Sequence, residues 1–393
     1  MRARRPQWSF IALLLLTSCG IYYFAFSTPN RNDDTSKAHS HELDDAEAKV
    51  LCKQHHLALA PDRARRKIYD LVTINTELDL LEIRLHTLAE QVDYFVLAVS
   101  THTFTGVPKP PTEIRGILNL TESPRFADFR TKILFHVFRP DQTGTTDPWA
   151  LERAQRNSLL SKLLSIPAGS PESPKENDIL LVSDIDEIPR PSALTLLRTC
   201  TFPTPRITLS TTAHLYSFNT IHSLPQKRHW LHPQATIWRS TETIWPEDLR
   251  TSASKLEFKS RYRVIGDAGW HCSSCFSTIA EFQAKIRGFS HQEFNHPVFL
   301  DPAQIVRRVK NGVDLAEREW EKFVKVGETG LAGGSGSRAD GIVKMPDYLW
   351  ENKDRFPWLI DRDAENARFL DWDGPGAASL EEWNGEMPDK WPD

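Results

Sequence analysis

The sequence predicts an α/β fold that follows an N-terminal transmembrane helix. Residues 68–74 form an apolar, β-branched run that is typical of a buried strand. Leucines at helical spacing follow in residues 78–88, and a second apolar run spans Val92–Val99. A strand, a helix and a strand within about thirty residues are typical of a βαβ unit, so we expect parallel strands and a right-handed crossover.

A third apolar run, Ile179–Val182, ends in acidic residues. Asp184, Asp186 and Glu187 follow it, and Pro189 bars continuation of the strand. Carboxylates at the carboxyl end of a strand are typical of an α/β site. In extended geometry Asp184 and Asp186 point to one face, where Mg²⁺ or Mn²⁺ would relieve their repulsion and take further ligands from phosphates. The competing interpretation is a solvated turn, because Asp-x-Asp often arises by chance.

Composition excludes several classes of protein. The chain has 393 residues, 40% hydrophobic and 25% charged, which is typical of a globular protein with one large domain or two smaller ones. Its formal net charge of -4 gives no electrostatic basis for binding nucleic acid. The first strand is followed by neither a Gly-rich dinucleotide fingerprint nor a Walker-type loop, which argues against dehydrogenases and P-loop enzymes.

The N-terminus predicts a membrane anchor. The apolar stretch 8–26 is just long enough to span a bilayer, and it is preceded by a basic segment, residues 1–7. Positive charge on that side predicts a cytoplasmic tail and a luminal body. A cleaved signal peptide is the alternative. The anchor is favoured because the stretch ends in aromatic residues and lacks a clean small-x-small cleavage site.

The remaining boundaries follow from composition. Polar residues 27–66 predict a stem in which residues 44–58 form a short helix and Cys52 ties the stem to the body. We expect the catalytic body to span residues 67–325. Residues 326–393 are expected to form a flexible Gly- and Ser-rich segment and a C-terminal extension.

Two further features fit a luminal body. A glycosylation sequon begins at Asn119. Four cysteines outside the apolar stretch allow up to two disulfides with three possible full pairings: Cys52, Cys200, Cys272 and Cys275. The last two could instead form a redox pair. A zinc site is not supported, because no second Cys-x-x-Cys or His-x-x-x-His partner is evident.

Polar residues near the predicted βαβ unit and a later helix are candidates for binding a nucleotide. Asn75 and Glu77 lie at the start of the first helix, where backbone N–H groups favour a phosphate or ribose. Arg153 and Arg156 are three apart on a helix predicted over residues 149–164, so they share a face and could clamp a diphosphate. The alternatives are a capped helix and solvated ion pairs.

Another strand end carries a second group of candidates. Residues 259–266 predict a strand that runs into Asp267 and then Gly269-Trp270-His271. His271 is a candidate metal ligand or phosphate contact, and the alternative is a structural histidine. Asp267 is a candidate general base. A nucleotide-diphosphate site with a divalent ion, in a luminal body on an anchor, is the combination found in nucleotide-sugar glycosyltransferases.

Five segments, in order, resemble glycosyltransferase family 17. The resemblance runs from about Lys67 to about Trp320, and its segments are KIYDLVTINTELDLLEIRLHTL, VDYFVLAVSTHTFTGVPKP, ERAQRN, DILLVSDIDEIPRP and GWHCSSCFSTIAEFQAKIRGFSHQEFN. The family adds the bisecting β-1,4-GlcNAc to N-glycans. The resemblance therefore implies a GT-A-like fold, a UDP-GlcNAc donor, Mn²⁺ (or Mg²⁺), and the β-linked mannose of an N-glycan core as acceptor.

The resemblance also implies roles for particular residues. Asp184 and Asp186 match the Asp-x-Asp motif of the family, with Asp186 expected to contact the metal directly and Asp184 to contact ribose or metal. A β-linkage made from an α-linked sugar nucleotide implies inversion, which needs a base for the acceptor hydroxyl. Glu187 and Asp267 are the two candidates for that base.

The implied setting is a type II enzyme of the Golgi membrane. Its expected partners are a glycan or glycoprotein acceptor and the membrane, with no nucleic acid. Three alternatives remain at this point: a glycosyltransferase of the same fold with another donor or acceptor, a non-catalytic glycan-binding protein that uses its twelve tryptophans, and a thiol oxidoreductase.

Overall fold

A computed structural model describes residues 43–254, 261–315, 318, 321–326 and 345–374. The predicted anchor and the Gly- and Ser-rich stretch lie outside these residues. None of the described helices combines the length and the apolar character that crossing a membrane requires.

Helices and strands alternate through the first half of the described chain, which confirms the predicted α/β fold. The helices are α1 (Asp45–Gln54), α2 (Leu78–Leu88), α3 (Pro111–Leu118), α4 (Pro148–Leu164), α5 (Pro191–Thr199), α6 (Pro246–Ser254), α7 (Ile279–Gly288), α8 (Pro297–Leu300), α9 (Pro302–Asn311), α10 (Asp347–Glu351) and α11 (Pro357–Ile360). The strands are β1 (Ala58–Leu59), β2 (Ile68–Ile74), β3 (Tyr94–Ser100), β4 (Ile133–Phe138), β5 (Ile179–Asp184), β6 (Glu187–Pro189), β7 (Cys200–Thr201), β8 (Ile207–Leu209), β9 (Thr211–Leu215), β10 (Ser217–His222), β11 (His229–Trp230), β12 (Gln234–Ile237), β13 (Arg263–Ile265), β14 (Gly269–Ser273) and β15 (Phe323–Lys325).

The larger sheet has the strand order β13-β8-β12-β5-β2-β3-β4. Strand β2 lies parallel to both β3 and β5, as the βαβ pattern predicts, whereas β12 runs antiparallel to β5 and β8. The carboxyl ends of β2, β3 and β5 therefore meet at one edge of the sheet, which is where α/β folds place their ligands.

Helices cover both faces of this sheet, so its central strands are apolar on both sides. Side chains of β2 alternate between two clusters, with Val72 packing on the α2 side and Leu71 on the α4 side. Leu81 of α2 and Leu159 of α4 are fully buried in these clusters. The long apolar runs of the sequence are explained by this double coverage.

A buried ion pair connects β2 to the turn after β5. Arg84 and Asp70 are both fully buried, and two guanidinium nitrogens donate to the two carboxylate oxygens at 2.7 Å. Arg84 Nη1 also donates to the main-chain oxygen of Glu187 at 2.7 Å. Because an unpaired charge would be very costly here, the pair fixes the turn that carries the acidic motif.

A second sheet has the order β15-β10-β9-β14-β6, with β11 paired to β9. Strand β14 is antiparallel to β6, and His271 lies opposite Glu187. A Cβ at Gly269 would lie 2.4 Å from the main-chain oxygen of Ile188, so only glycine allows this close approach. The pairing brings the Gly-Trp-His motif to the acidic motif.

Segments on both sides of residues 67–325 pack onto the body. The predicted helix near residue 50 is confirmed as α1, and Cys52 forms a disulfide with Cys200. At the other end Arg355 Nη1 donates to Glu82 Oε1 of α2 at 2.6 Å, and buried Arg362 donates to the main-chain oxygen of Tyr216 at 3.0 Å. Residues 345–374 therefore belong to the packed body.

Candidate active site

A cleft of about 700 Å³ opens at the carboxyl ends of the parallel strands. A volume of this size lies within the usual range for small-molecule sites. It is lined by the end of β2, the loop after β3, α4, the turn between β5 and β6, β11, α6 and α7. The predicted site residues that it brings together are Asn75, Glu77, Arg153, Arg156, Asp184, Asp186, Glu187 and His271.

Asp184 and Asp186 lie in the same cleft but do not share an extended backbone. Strand β5 ends at Asp184, and Asp186 belongs to the turn before β6. The expectation that both carboxylates project from one extended face is therefore wrong. The turn gives each of them a different set of neighbours.

The carboxylate of Asp184 is held by two guanidinium groups. Arg250 Nη2 donates to Oδ2 at 2.9 Å, and Arg156 Nη2 donates to Oδ1 at 3.3 Å. Both oxygens are thus directed toward protein cations, although about a third of the side chain is exposed. With both oxygens facing arginines, Asp184 is better suited to ordering the cleft wall than to binding a metal.

Arg156 forms ion pairs with three carboxylates of the protein. It contacts Glu247 at 2.5 Å and Glu152 at 2.8 Å in addition to Asp184. Burial alone would lower the pKa of Arg156, but Asp184 and the two glutamates raise it above its ordinary value. The predicted diphosphate clamp is therefore not formed, because Arg156 is bound inside the protein. Arg153 instead lies half exposed at the rim, 3.7 Å from Asp147.

Glu187 is fully buried, and protein groups donate to both of its carboxylate oxygens. Arg250 donates to its two carboxylate oxygens at 2.7 and 2.9 Å, the Asp184 main-chain N–H donates at 2.9 Å, and Trp230 Nε1 donates at 2.7 Å. Burial would raise the pKa of Glu187, but Arg250 and then His232 lower it far below its ordinary value. A carboxylate so stabilised is a poor proton acceptor, so Glu187 does not fit the predicted role of general base.

Asp186 has a more open set of neighbours. Its Oδ2 lies 3.6 Å from His271 Nε2 and 3.9 Å from Lys285 Nζ. Burial would raise the pKa of Asp186, but His271 and Lys285 more than offset that effect and lower it. The carboxylate is thus ionised and lines the cleft, and none of the described arginines contacts its oxygens.

His271 is fixed from one side by an aromatic ring. Trp230 stacks on it with ring centroids 4.8 Å apart and an interplanar angle of 21°. The next residue in β14, Cys272, is bonded to Cys275, and both cysteines are buried. The imidazole Nδ1 is buried and has no hydrogen-bond partner among the described residues. The ring therefore presents Nε2 to Asp186.

The donor groups fit a divalent ion only in part. Among the described residues, no group of three or more His, Cys, Asp or Glu side chains is arranged to hold a metal. Asp186 and His271 supply two potential ligands. Mg²⁺ is commonly held by one or two carboxylates together with substrate phosphates, so this pair fits an ion that a bound diphosphate completes. Asp184 does not fit as a ligand, because its oxygens face arginines.

Asn75 and Glu77 lie at the end of β2, on the cleft. Glu77 Oε2 accepts the main-chain N–H groups of Asn75 at 3.1 Å and Thr76 at 3.0 Å. Lys109, from the loop after β3, donates to Asn75 Oδ1. Burial raises the pKa of Glu77, although Lys285 opposes this. Both predicted donor-site residues are therefore ordered in the cleft.

Asp267 lies outside the lining of the cleft. It precedes β14 in a turn with φ = 48°, and its exposed carboxylate accepts from Arg190 Nη2 at 2.9 Å. An exposed carboxylate outside the cleft lining does not fit the predicted role of general base.

Several cleft residues were missed by the sequence analysis. Glu247 and Arg250 are three apart on α6, a spacing that equally fits an ion pair on a helix surface. Strand β11 has only two residues, too few to show the alternation of polar and apolar residues that predicts a strand. The missed residues are Lys109, Glu152, Trp230, His232, Glu247, Arg250, Lys285 and His291. Asn119 of the sequon is exposed at the end of α3, and its glycosylation stays a prediction.

Comparison with known proteins supports the resemblance. Residues 10–365 match the sequence profile of glycosyltransferase family 17, a wider range than the segments quoted above. A β-1,4-mannosyl-glycoprotein 4-β-N-acetylglucosaminyltransferase from Homo sapiens is 28% identical over 349 residues, which cover 79% of this chain and 58% of that protein. The enzyme of the same name from Rattus norvegicus is 29% identical over 147 residues, covering 36% of this chain and 25% of that protein. The chain thus matches little more than half the length of the human relative. It belongs to glycosyltransferase family 17.

Proposed function

We propose that the protein is an inverting glycosyltransferase that moves GlcNAc from UDP-GlcNAc to the β-linked mannose of an N-glycan core. Its family supports the class of reaction, and the names of the human and rat relatives support the transferred sugar and the acceptor. In this proposal the fold is GT-A-like. The support is a sheet whose parallel strands end at one cleft.

The observation that carries the proposal is the position of Asp186 and His271 in a cleft that needs additional positive charge. The lining contains six carboxylates against five lysine and arginine side chains, a formal charge of about -1 with neutral histidines. A nucleotide-sugar diphosphate would add negative charge. Asp186 and His271 would hold Mn²⁺ or Mg²⁺ together with that diphosphate, and the ion would supply Lewis-acid neutralisation of the leaving group.

In this proposal the remaining residues either bind the donor nucleotide or keep the cleft wall in place. Asn75 and Glu77 contact the donor nucleotide, and Arg153 meets it at the rim. Arg156 and Asp184 keep the cleft wall in place through their mutual contact at 3.3 Å. The acceptor hydroxyl gives its proton to a base in the cleft.

The proposed location is the Golgi membrane, with residues 8–26 as a type II anchor and the body in the lumen. Two disulfides, Cys52–Cys200 and Cys272–Cys275, suit an oxidising compartment. Asn119 is exposed and so accessible for glycosylation. Treatment of the protein with a glycosidase that removes N-glycans, followed by measurement of its mass, tests the luminal placement.

The function is tested by incubating the purified full-length chain with a panel of sugar nucleotides and an N-glycan acceptor, with and without Mn²⁺. We expect release of UDP to be fastest with UDP-GlcNAc and to stop after chelation. Asp186→Ala should abolish transfer. Asp267→Ala, which removes an exposed carboxylate outside the cleft lining, should leave transfer unchanged.

Each rival function gives a different outcome in the same assay. Preference for another sugar nucleotide would identify a glycosyltransferase of the same fold with a different donor. Glycan binding without Mn²⁺ and without affinity for UDP would indicate a non-catalytic glycan-binding protein. Full turnover by Asp186→Ala would overturn the assignment of that residue.

A further inference from the structure

The basic side chains that line the cleft differ in how far their charge is already used by the protein. Arg156 and Arg250 are each bound by at least two carboxylates. Lys109 donates to Asn75 and lies 4.0 Å from Glu113. These three cations are buried or nearly so, and each has protein partners that a ligand would have to displace.

Lys285 is in a different situation. It lies in the last turn of α7, with 31% of its side chain exposed to the cleft, and its Nζ is 3.9 Å from Asp186 Oδ2. In the described part of the chain its ammonium makes no contact to a carboxylate shorter than this. That distance is longer than a hydrogen bond, so its N–H groups can still be taken by a ligand.

The position of Lys285 is nevertheless defined. Its Nζ lies 5.3 Å from the ring centroid of Phe276, a residue just before α7. Helix α7 itself begins with a capping box in which Thr278 and Glu281 satisfy each other's main-chain N–H groups. A cation held over a ring and next to Asp186 is ordered for a partner that enters the cleft.

We propose that Lys285 is a catalytic residue that donates hydrogen bonds to the diphosphate of the sugar nucleotide and stabilises it as the leaving group. The inference rests on the proposed function. In this inference Lys285 supplies a positive charge from the protein itself, next to the position proposed for the diphosphate beside Asp186. Arg153 also lines the cleft, but its side chain is half exposed and its ion pair is with Asp147, 3.7 Å away, whereas Lys285 contacts Asp186.

The role follows from the bonds that change in the transfer. The acceptor oxygen forms a bond to the anomeric carbon, and its proton goes to the base. The bond between the anomeric carbon and the β-phosphate oxygen breaks, and its electron pair stays on that oxygen. UDP therefore leaves with one more negative charge than it carried in the donor, and Lys285 faces that added charge. A donor that meets charge developing in the transition state acts mainly on kcat.

The test compares Lys285→Ala and Lys285→Arg with the parent protein in the full-length chain. We expect Lys285→Ala to lower kcat on the order of 100-fold, the effect typical of losing a donor to a developing anion. UDP affinity, measured by calorimetry, should fall roughly tenfold, while uridine affinity stays unchanged because uridine has no phosphate. Lys285→Arg should restore much of the loss, since it keeps the charge.

The control is Arg287→Ala, which removes an exposed cation from the same helix outside the cleft lining. It should leave kcat and UDP affinity unchanged, and this separates a contact with the diphosphate from a change in net charge. Equal loss of UDP and uridine affinity in Lys285→Ala would overturn the inference, because it would indicate a general disturbance of the site. Unchanged kcat would overturn it as well.

Failure of the proposed function is distinguishable from failure of this inference. If the parent protein binds UDP and transfers sugar but Lys285→Ala behaves like it, only the role of Lys285 is wrong. If the parent protein binds no uridine nucleotide, both are wrong. Circular dichroism of each variant confirms that the fold is kept.

Discussion

At the scale of single residues, the three carboxylates of the acidic motif have different contacts and therefore different roles. Glu187 binds Arg250 and supports the turn, Asp184 is held between Arg250 and Arg156, and Asp186 has its oxygens near His271 and Lys285. Residues of one chemical type, one to three positions apart, thus have different environments. Partners from distant segments, rather than the motif itself, give each carboxylate its role.

The environment of Glu187 predicts how stability depends on pH. Its pKa in the folded protein lies far below the ordinary value of 4.5, so its contribution to stability is fully present above about pH 4.5 and is lost as the pH falls toward the folded pKa. Glu187→Gln should be less stable than the parent near pH 7, and this difference should shrink below pH 4.5. Urea unfolding at a series of pH values measures it.

Glu122→Gln is the matched control, since it makes the same substitution at an exposed position. The difference in unfolding free energy between Glu122→Gln and the parent should stay nearly constant with pH, whereas the difference between Glu187→Gln and the parent should shrink at low pH. A constant Glu187→Gln difference from pH 7 to pH 3 would contradict the account of its ion pair with Arg250.

At the scale of elements, the cleft depends on the close pairing of β14 with β6. Gly269→Ala would place a Cβ 2.4 Å from the Ile188 main-chain oxygen, so the strands must separate. We expect a loss of about 1–3 kcal/mol in unfolding free energy. Activity should fall as well, because His271 moves away from the turn that carries Asp186. Thermal unfolding and the transfer assay measure the two effects.

Gly266→Ala provides the comparison for this variant. A Cβ at Gly266 meets no atom within 4 Å, so stability and transfer should stay at the parental level. Equal effects of the two alanine substitutions would show that the strand contact at Gly269 is not the cause.

The two disulfides should contribute unequally to stability. Cys52–Cys200 links residues 148 apart, whereas Cys272–Cys275 links residues three apart. Because a larger loop loses more conformational entropy in the unfolded chain, replacing the first pair by serine should cost about 5 kcal/mol and replacing the second about 2 kcal/mol. Urea unfolding of the two double variants measures the difference. A larger cost for the Cys272–Cys275 pair would contradict the loop argument.

At the scale of the whole molecule, the C-terminal segment completes the core. Residues 345–374 bury Leu349, Phe356, Trp358 and Leu359 against the body. A chain that ends at residue 344 exposes the apolar surface that these side chains cover, so we expect it to aggregate or to lose cooperative unfolding. Solubility and thermal unfolding measure this.

A chain that ends at residue 374 is the control, since it keeps every contact of the segment described above. It should unfold cooperatively and keep its transfer activity. Normal folding of the shorter chain would show that α10 and α11 are not needed for the stability of the body.

By itself, the sequence determined the α/β fold, the βαβ unit, the family resemblance and several of the residues that line the cleft. Apolar periodicity and motifs are local properties, and β2, α2, β3 and β5 lie where these properties predict. The tertiary structure alone decided which carboxylates are paired. Arg250 lies 66 residues from Asp184, and no local pattern connects them. It also placed Glu187 on Arg250, Asp267 outside the cleft lining and Lys285 beside Asp186, because burial and long-range contacts fix the charge environment of a side chain.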